Sequence, residues 1–201
     1  GTFGIRRVVS NTADEAYGLE VADLNGDERL DIVYVARAAD IVGWHRNEGD
    51  GNFSQSLLIS NLADGPADVA VADLDGDGDL DVLTASLNDS EIAWYSNEGN
   101  ALFGLQQVIS RDGDGALVVR VADLEGDGDI DVVAGSFFDG ELSWYLNDGT
   151  GAFSPQRIVT TVPGPTDIAL ADLDGDGDPE LVVSSRDDDT IGYFEHELVC
   201  E

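Results

Sequence analysis

Residues 71 to 83, VADLDGDGDLDVL, carry Asp73, Asp75, Asp77, Asp79 and Asp81 at alternate positions between apolar residues. On a regular strand these five side chains would share one face, where like charges repel. The stretch is therefore expected to be a loop that winds the carboxylates around a cation. Hard cations such as Ca²⁺ take about 6 to 8 oxygen ligands at roughly 2.3–2.6 Å, and a short acidic loop supplies them. Counting Asp73 as position 1, side chains at positions 1, 3, 5 and 9 are Asp73, Asp75, Asp77 and Asp81, and the main-chain carbonyl of Asp79 serves position 7.

The same loop occurs four times, at 23–31, 73–81, 123–131 and 172–180. The other side-chain sets are Asp23, Asn25, Asp27, Asp31; Asp123, Glu125, Asp127, Asp131; and Asp172, Asp174, Asp176, Glu180. Position 7 holds Arg29, Asp129 and Asp178 in those copies, each through its carbonyl, since an arginine side chain cannot ligate a cation. The bland alternative is a solvated Asp-Gly turn. Four copies in register weigh against it, and up to four Ca²⁺ are expected. A helical calcium loop is excluded, because position 12 is Tyr34, Thr84, Ala134 and Val183 rather than Glu. Softer metals are poorly served without Cys or His near any loop, and Mg²⁺ demands stricter geometry. Copy one, with neutral Asn25 and with Glu28 where glycine stands in the others, is expected to be the weakest site.

Other landmarks keep the same step of about 50 residues. Trp44, Trp94, Trp144 and Tyr193 recur, as do Phe3, Phe53, Phe103 and Phe153. That period suits a four-stranded propeller blade. In the second copy, strands are predicted from Val69 to Ala72, Asp81 to Ala85, Glu91 to Ser96 and Phe103 to Ile109 by alternation and turn residues. Nothing reads as a long amphipathic helix. The fold class expected is all-β, a β-propeller of four blades in one domain spanning 1–201. The chain opens on a fourth-type strand, Phe3 to Val9, and ends on a third-type strand, Thr190 to Glu195. Pairing of those two would complete the last blade and remove two open edges. Closure within the chain is ranked ahead of exchange between two chains or a head-to-tail filament.

Composition narrows the partners. With 42 Asp+Glu against 9 Lys+Arg and a formal charge of -33, the chain has no basic surface for nucleic acid. No apolar run approaches the roughly 20 residues of a membrane span. The first 20 residues do not read as a signal peptide, and the absence of Met implies a processed product or a piece of something longer. Cys200 stands alone, so no internal disulfide forms, though it could pair with another chain. Asn52 and Asn88 begin sequons that would be glycan acceptors in a secreted eukaryotic chain.

The run DLDGDGDLD, followed by an apolar strand, WYSNEG and Phe, resembles the FG-GAP/VCBS repeats of integrin-α-like β-propellers. Phe3-Gly4 and Phe103-Gly104 keep the name-giving pair, while Phe53 and Phe153 precede serine. The resemblance covers essentially the whole chain. It implies an extracellular or cell-surface interaction module, with calcium loops between the first and second strands that rigidify rather than catalyse. Family members usually carry seven blades, and this chain has four copies. An enzyme needs a convergent set of unlike groups. Of the two histidines, His45 stands where other copies have Tyr95, Tyr145 and Phe194, and is read as a strand-surface residue; His196 lies near the end. No enzymatic activity is expected. A protein or glycan ligand is expected; a lectin reading would require the three Trp rings to be exposed for stacking on sugars.

Overall fold

The computed structural model describes residues 1–195; His196 and Cys200 lie outside the described residues. Four antiparallel sheets follow one another along the chain, one per repeat. The first contains β1 (Ala16–Ala22), β2 (Asp31–Ala36), β3 (Ile41–His45) and β6 (Leu57–Ser60) in that order. Between β3 and β6 the chain makes a small two-stranded ribbon, β4 (Asn47–Gly49) with β5 (Asn52–Phe53). The second sheet is β7 (Pro66–Ala72), β8 (Asp81–Ser86), β9 (Glu91–Tyr95) and β10 (Gln107–Ser110). The third is β11 (Ala116–Ala122), β12 (Asp131–Ser136), β13 (Glu141–Tyr145) and β14 (Arg157–Thr161). The fourth has three strands among the described residues: β15 (Pro165–Ala171), β16 (Glu180–Ser185) and β17 (Thr190–Phe194). The only helical turn described is Arg37–Ala39.

The expected strands are present with shifted ends. In the second repeat the last strand begins at Gln107, and Phe103 contributes only an isolated bridge to Asn97. Each acidic stretch is a loop joining the first strand of its sheet to the second, and Ala72 pairs with Asp81 across its neck.

Neighbouring sheets pack face to face, and strand alternation decides which side chains meet. On the first sheet, Leu24, Val42 and Trp44 lie on the side turned to the second, whose Val69, Val82 and Tyr95 complete one buried layer. Leu74, Ile92 and Trp94 meet Val119, Val132 and Tyr145 in the next. Leu124, Leu142 and Trp144 meet Ile168, Leu181 and Val183 in the third. Trp44 and Trp94 are thus core between sheets and Trp144 is partly buried against the third layer, whereas Tyr193 is exposed.

The clasp expected between the termini is not formed. Residues 1–9 contain no strand, Phe3 and Ile5 are exposed, and β17 has no outer partner among the described residues. The first strands of the sheets pack in chain order, β1 on β7, β7 on β11 and β11 on β15, and Leu19 of the first sheet and Ile191 of the fourth are left exposed. The N-terminal segment lies along the first sheet instead, where Arg6 to Ser10 share a cleft with Tyr17, Leu19, Tyr34 and His45. His45 is consequently buried, not a surface residue: its ring stacks on Tyr34 with centroids 5.2 Å apart, and its Nδ1 lies 3.0 Å from the Ser54 carbonyl.

Candidate metal loops

Loop winding begins with the backbone. Glycines at positions 4 and 6 of the second loop, Gly76 and Gly78, take φ of 74° and 94°, which turns successive amides inward. Those amides fall on the position-1 carboxylate: Gly76 N and Gly78 N donate to Asp73 at 2.8 and 3.0 Å. Asp23, Asp123 and Asp172 gather amides of their own loops in the same way.

Position 9 is the buried anchor. One carboxylate oxygen of Asp81 accepts from Leu74 N at 2.8 Å, and the other accepts from Asn97 N at 2.8 Å. Asp31 and Asp131 repeat this with Leu24 and Asn47, and with Leu124 and Asn147. Glu180 accepts from Leu173 N at 2.5 Å. This carboxylate therefore locks the loop entrance to the turn that follows the third strand.

The loops differ in how far their acids converge. Carboxylate oxygens of Asp73, Asp75 and Asp81 lie within 4.8 Å of one another, and so do those of Asp172, Asp174 and Glu180. Positions 1, 3 and 9 of the second and fourth loops thus offer a compact oxygen set. Asn25 contributes an amide in place of a third carboxylate in the first loop, and the longer Glu125 stands at position 3 of the third. Position 5 is not part of either convergent set: Asp77 and Asp176, like Asp27 and Asp127, accept from the amide two residues on. Among the described residues, no Lys or Arg makes an ion pair with the second, third or fourth loop. Clustered oxygens without a protein cation fit a bound Ca²⁺.

Copy one departs in two ways. Glu28 takes φ of 65° at the position where the other loops have glycine, a left-handed conformation costly for a residue with a Cβ. Arg29 reaches back to Asp27 at 2.5 Å and places a protein cation at the loop. Replacing Glu28 with Gly is expected to stabilise the protein by about 1 kcal/mol by removing that strain. Chemical denaturation measures it, and an unchanged or lower midpoint would contradict the strain.

Burial raises the Asp81 carboxyl to about 7 despite its two amide donors, and pushes Asp31 and Asp131 upward for the same reason. Asp75 is also raised, first by burial and then by the charge of Asp77. Folding without metal therefore favours the protonated acids. Their contribution is full below the unfolded carboxylate value and is lost as pH rises through about 7 for Asp81. Metal-free protein should melt higher near pH 5 than near pH 7.5, as scanning calorimetry in chelator would show. A lower melting temperature near pH 5 would contradict this assignment. Bound cation reverses the preference, because it favours the ionised acids.

The sequence alone assigns no role to Asn47, Asn97 and Asn147. Asn97 Nδ2 donates to Leu80 O at 3.0 Å within its own repeat and to Leu24 O at 2.9 Å in the preceding loop. Asn147 does the same to Ile130 O and Leu74 O, at 3.0 and 2.7 Å. Each of these two amides ties one acidic loop to the next sheet. Recurrence in step with the tryptophans was the available signal. Of the two sequons, Asn52 is exposed on the ribbon, and Asn88 donates to Asp64 at 2.9 Å.

Comparison with known proteins bears on this arrangement. A family model described as FG-GAP-like repeat matches residues 23–84, 79–134 and 126–183. No curated protein sequence matches the chain. Among solved structures, an Agrocybe aegerita lectin described as recognising non-reducing terminal N-acetylglucosamine is similar with a TM-score of 0.57 and 24% identity, over 88% of this chain and 51% of its own. A V. cholerae biofilm matrix protein is similar with a TM-score of 0.55 and 29% identity, over 90% of this chain and 27% of its own. A Photorhabdus luminescens Tc holotoxin pore gives 0.52 and 20%, over 90% and 9%. This chain thus spans about half of the lectin and smaller parts of the other two.

Proposed function

Since the chain belongs to the FG-GAP-like repeat family, we propose that it is a calcium-binding β-propeller module that works outside the cell or at its surface, as an interaction scaffold rather than an enzyme. The convergence of Asp73, Asp75 and Asp81 with no basic ion-pair partner among the described residues is the observation that carries the reading. Calcium supplies charge neutralisation there. Asp81 and its equivalents hold the loop entrance, Asp73 gathers the loop amides, and Asp75 closes the oxygen set. The loops connect sheet to sheet through Asn97 and Asn147, so ordering a loop stiffens the joint beside it. Millimolar extracellular calcium suits the modest affinities of about 0.1–1 mM common for such modules.

The ligand is a protein or a glycan. Trp44 and Trp94 are buried between sheets, which disfavours glycan binding by stacking on the repeated rings. Among the described residues, no helix is long and apolar enough to cross a membrane.

Isothermal titration of chelator-stripped protein with CaCl₂ tests the reading. Heat from the second and fourth loops is expected first, and Asp75→Asn and Asp174→Asn are each expected to remove one of those sites. The first loop should be weakest. An absence of calcium heat at millimolar concentration, or Asn25→Ala removing the tightest site, would overturn the assignment.

A further inference from the structure

Positions 3 and 4 of the first loop are Asn25 and Gly26, the one Asn-Gly pair in the 201 residues. Its counterparts are Asp75-Gly76, Glu125-Gly126 and Asp174-Gly175. The first loop alone therefore carries at position 3 an amide that hydrolysis would turn into the acid found in the second and fourth.

Glycine after asparagine permits that conversion without an enzyme. The backbone nitrogen of Gly26 can attack Cγ of Asn25, and glycine places no side chain in its path. A bond forms between that nitrogen and Cγ, the bond from Cγ to Nδ2 breaks, and ammonia leaves. The Gly26 amide proton passes to solvent, and a solvent proton goes to the departing nitrogen. Water then opens the five-membered imide. Opening at Cγ yields aspartate; opening at the main-chain carbonyl yields isoaspartate, whose backbone runs through Cγ.

The fold leaves this pair free to react. Gly26 is exposed with φ of 71°, and a Cβ there would meet nothing within 4 Å. Its nitrogen makes no hydrogen bond among the described residues, because Asp23 Oδ1 accepts from Asp27 N at 3.1 Å instead. In the second and fourth loops the same nitrogen is engaged: Gly76 N donates to Asp73 at 2.8 Å, and Gly175 N to Asp172 at 2.6 Å. Asn25 Oδ1 accepts from Asp27 N at 3.0 Å, which draws electron density from Cγ. The leaving nitrogen, Nδ2, has no acceptor among the described residues.

Aspartate at this position would fit the loop as it stands. Asp75 and Asp174 each accept from the amide two residues on, Asp77 N and Asp176 N, at 3.3 and 3.1 Å, the bond that Asn25 already makes to Asp27 N. Asn25 thus sits as those acids do, with an N–H donor where they carry a second oxygen. A donor repels a cation, and an oxygen ligates it.

We propose that Asn25 is a site of spontaneous deamidation, and that its aspartate product gives the first loop the third carboxylate of a cation site. The covalent step stands independently of any metal, whereas the gain in affinity rests on the calcium reading. Isoaspartate lengthens the main chain within the loop and does not restore position 3.

The full chain, held in calcium-free, mildly alkaline buffer at body temperature and sampled over days to weeks, tests both parts. Tryptic peptide 8–29 should gain about 1 Da, and fragmentation should place the gain at Asn25 rather than Asn11. Asn25→Gln, whose longer side chain does not close the five-membered ring, should stay unchanged. In isothermal titration the aspartate fraction, isolated by anion exchange, and fresh Asn25→Asp should each bind calcium at the first loop about tenfold more tightly than fresh wild type. Asn25 left intact after other asparagines have gained mass would overturn the modification. An aspartate fraction that binds no more tightly than fresh wild type would overturn the gain of a site. Conversion at Asn25 with no calcium heat from any loop would instead overturn the calcium reading and leave the modification standing.

Discussion

Removing calcium is expected to lower the melting temperature of this protein by roughly 2 to 16 °C. At about 2 mM free Ca²⁺ and dissociation constants of about 0.1–1 mM, each occupied site adds roughly 0.6 to 2 kcal/mol. Two convergent sites, at Asp73/Asp75/Asp81 and Asp172/Asp174/Glu180, together add about 1 to 4 kcal/mol. For a chain of this length about 1 kcal/mol corresponds to roughly 2–4 °C. Electrostatics act in the same direction, since the formal charge of -33 opposes compaction until cations offset part of it. Calorimetric scans in chelator and in calcium measure the difference. Equal melting temperatures would contradict a structural role for the ion.

Replacing Asn97 with Ala is expected to cost about 2–4 kcal/mol, within the range expected for calcium removal. Its side chain is fully buried, and its two amide hydrogens satisfy Leu24 O and Leu80 O. Truncation leaves both carbonyls without that donor, and each buried orphan costs about 1–3 kcal/mol. Asn47→Ala is the internal control. That side chain is half-buried and donates to Leu30 O without a second carbonyl, its Oδ1 accepting from Gly49 N as Asn97 Oδ1 does from Gly99 N, so about 1 kcal/mol is expected. Denaturant unfolding of the two variants reads the contrast, and equal losses would show that the bond across the joint contributes nothing.

Much of this architecture is written in local patterns. Alternation within each repeat marks the strands, and the Asp-Gly runs could not be strands because five acids would share one face. Trp44 and Trp94 are buried at the joints, so two of the three rings lack the exposure that a lectin reading requires. What the sequence did not disclose depends on relations between repeats. The way one sheet stacks on the next is not encoded in any single strand's alternation, and the expected pairing of residues 3–9 with Thr190–Glu195 is not formed among the described residues. His45 illustrates the same limit. Its burial comes from packing on Tyr34 and from the N-terminal segment lying nearby, neither of which its own strand specifies. The asparagine clamps escaped notice because an Asn before Glu-Gly or Asp-Gly already has a sufficient explanation as a turn residue. Only their second bond, to a loop 73 residues away, shows the larger role.

Anomalous scattering from crystals grown in millimolar calcium tests the central claim most directly. The account predicts difference peaks among the side-chain oxygens of Asp73, Asp75 and Asp81 and among those of Asp172, Asp174 and Glu180, with the weakest or no peak at Asp23, Asn25 and Asp31. Anomalous maps without a peak at the second and fourth loops, from crystals soaked in calcium, would contradict it.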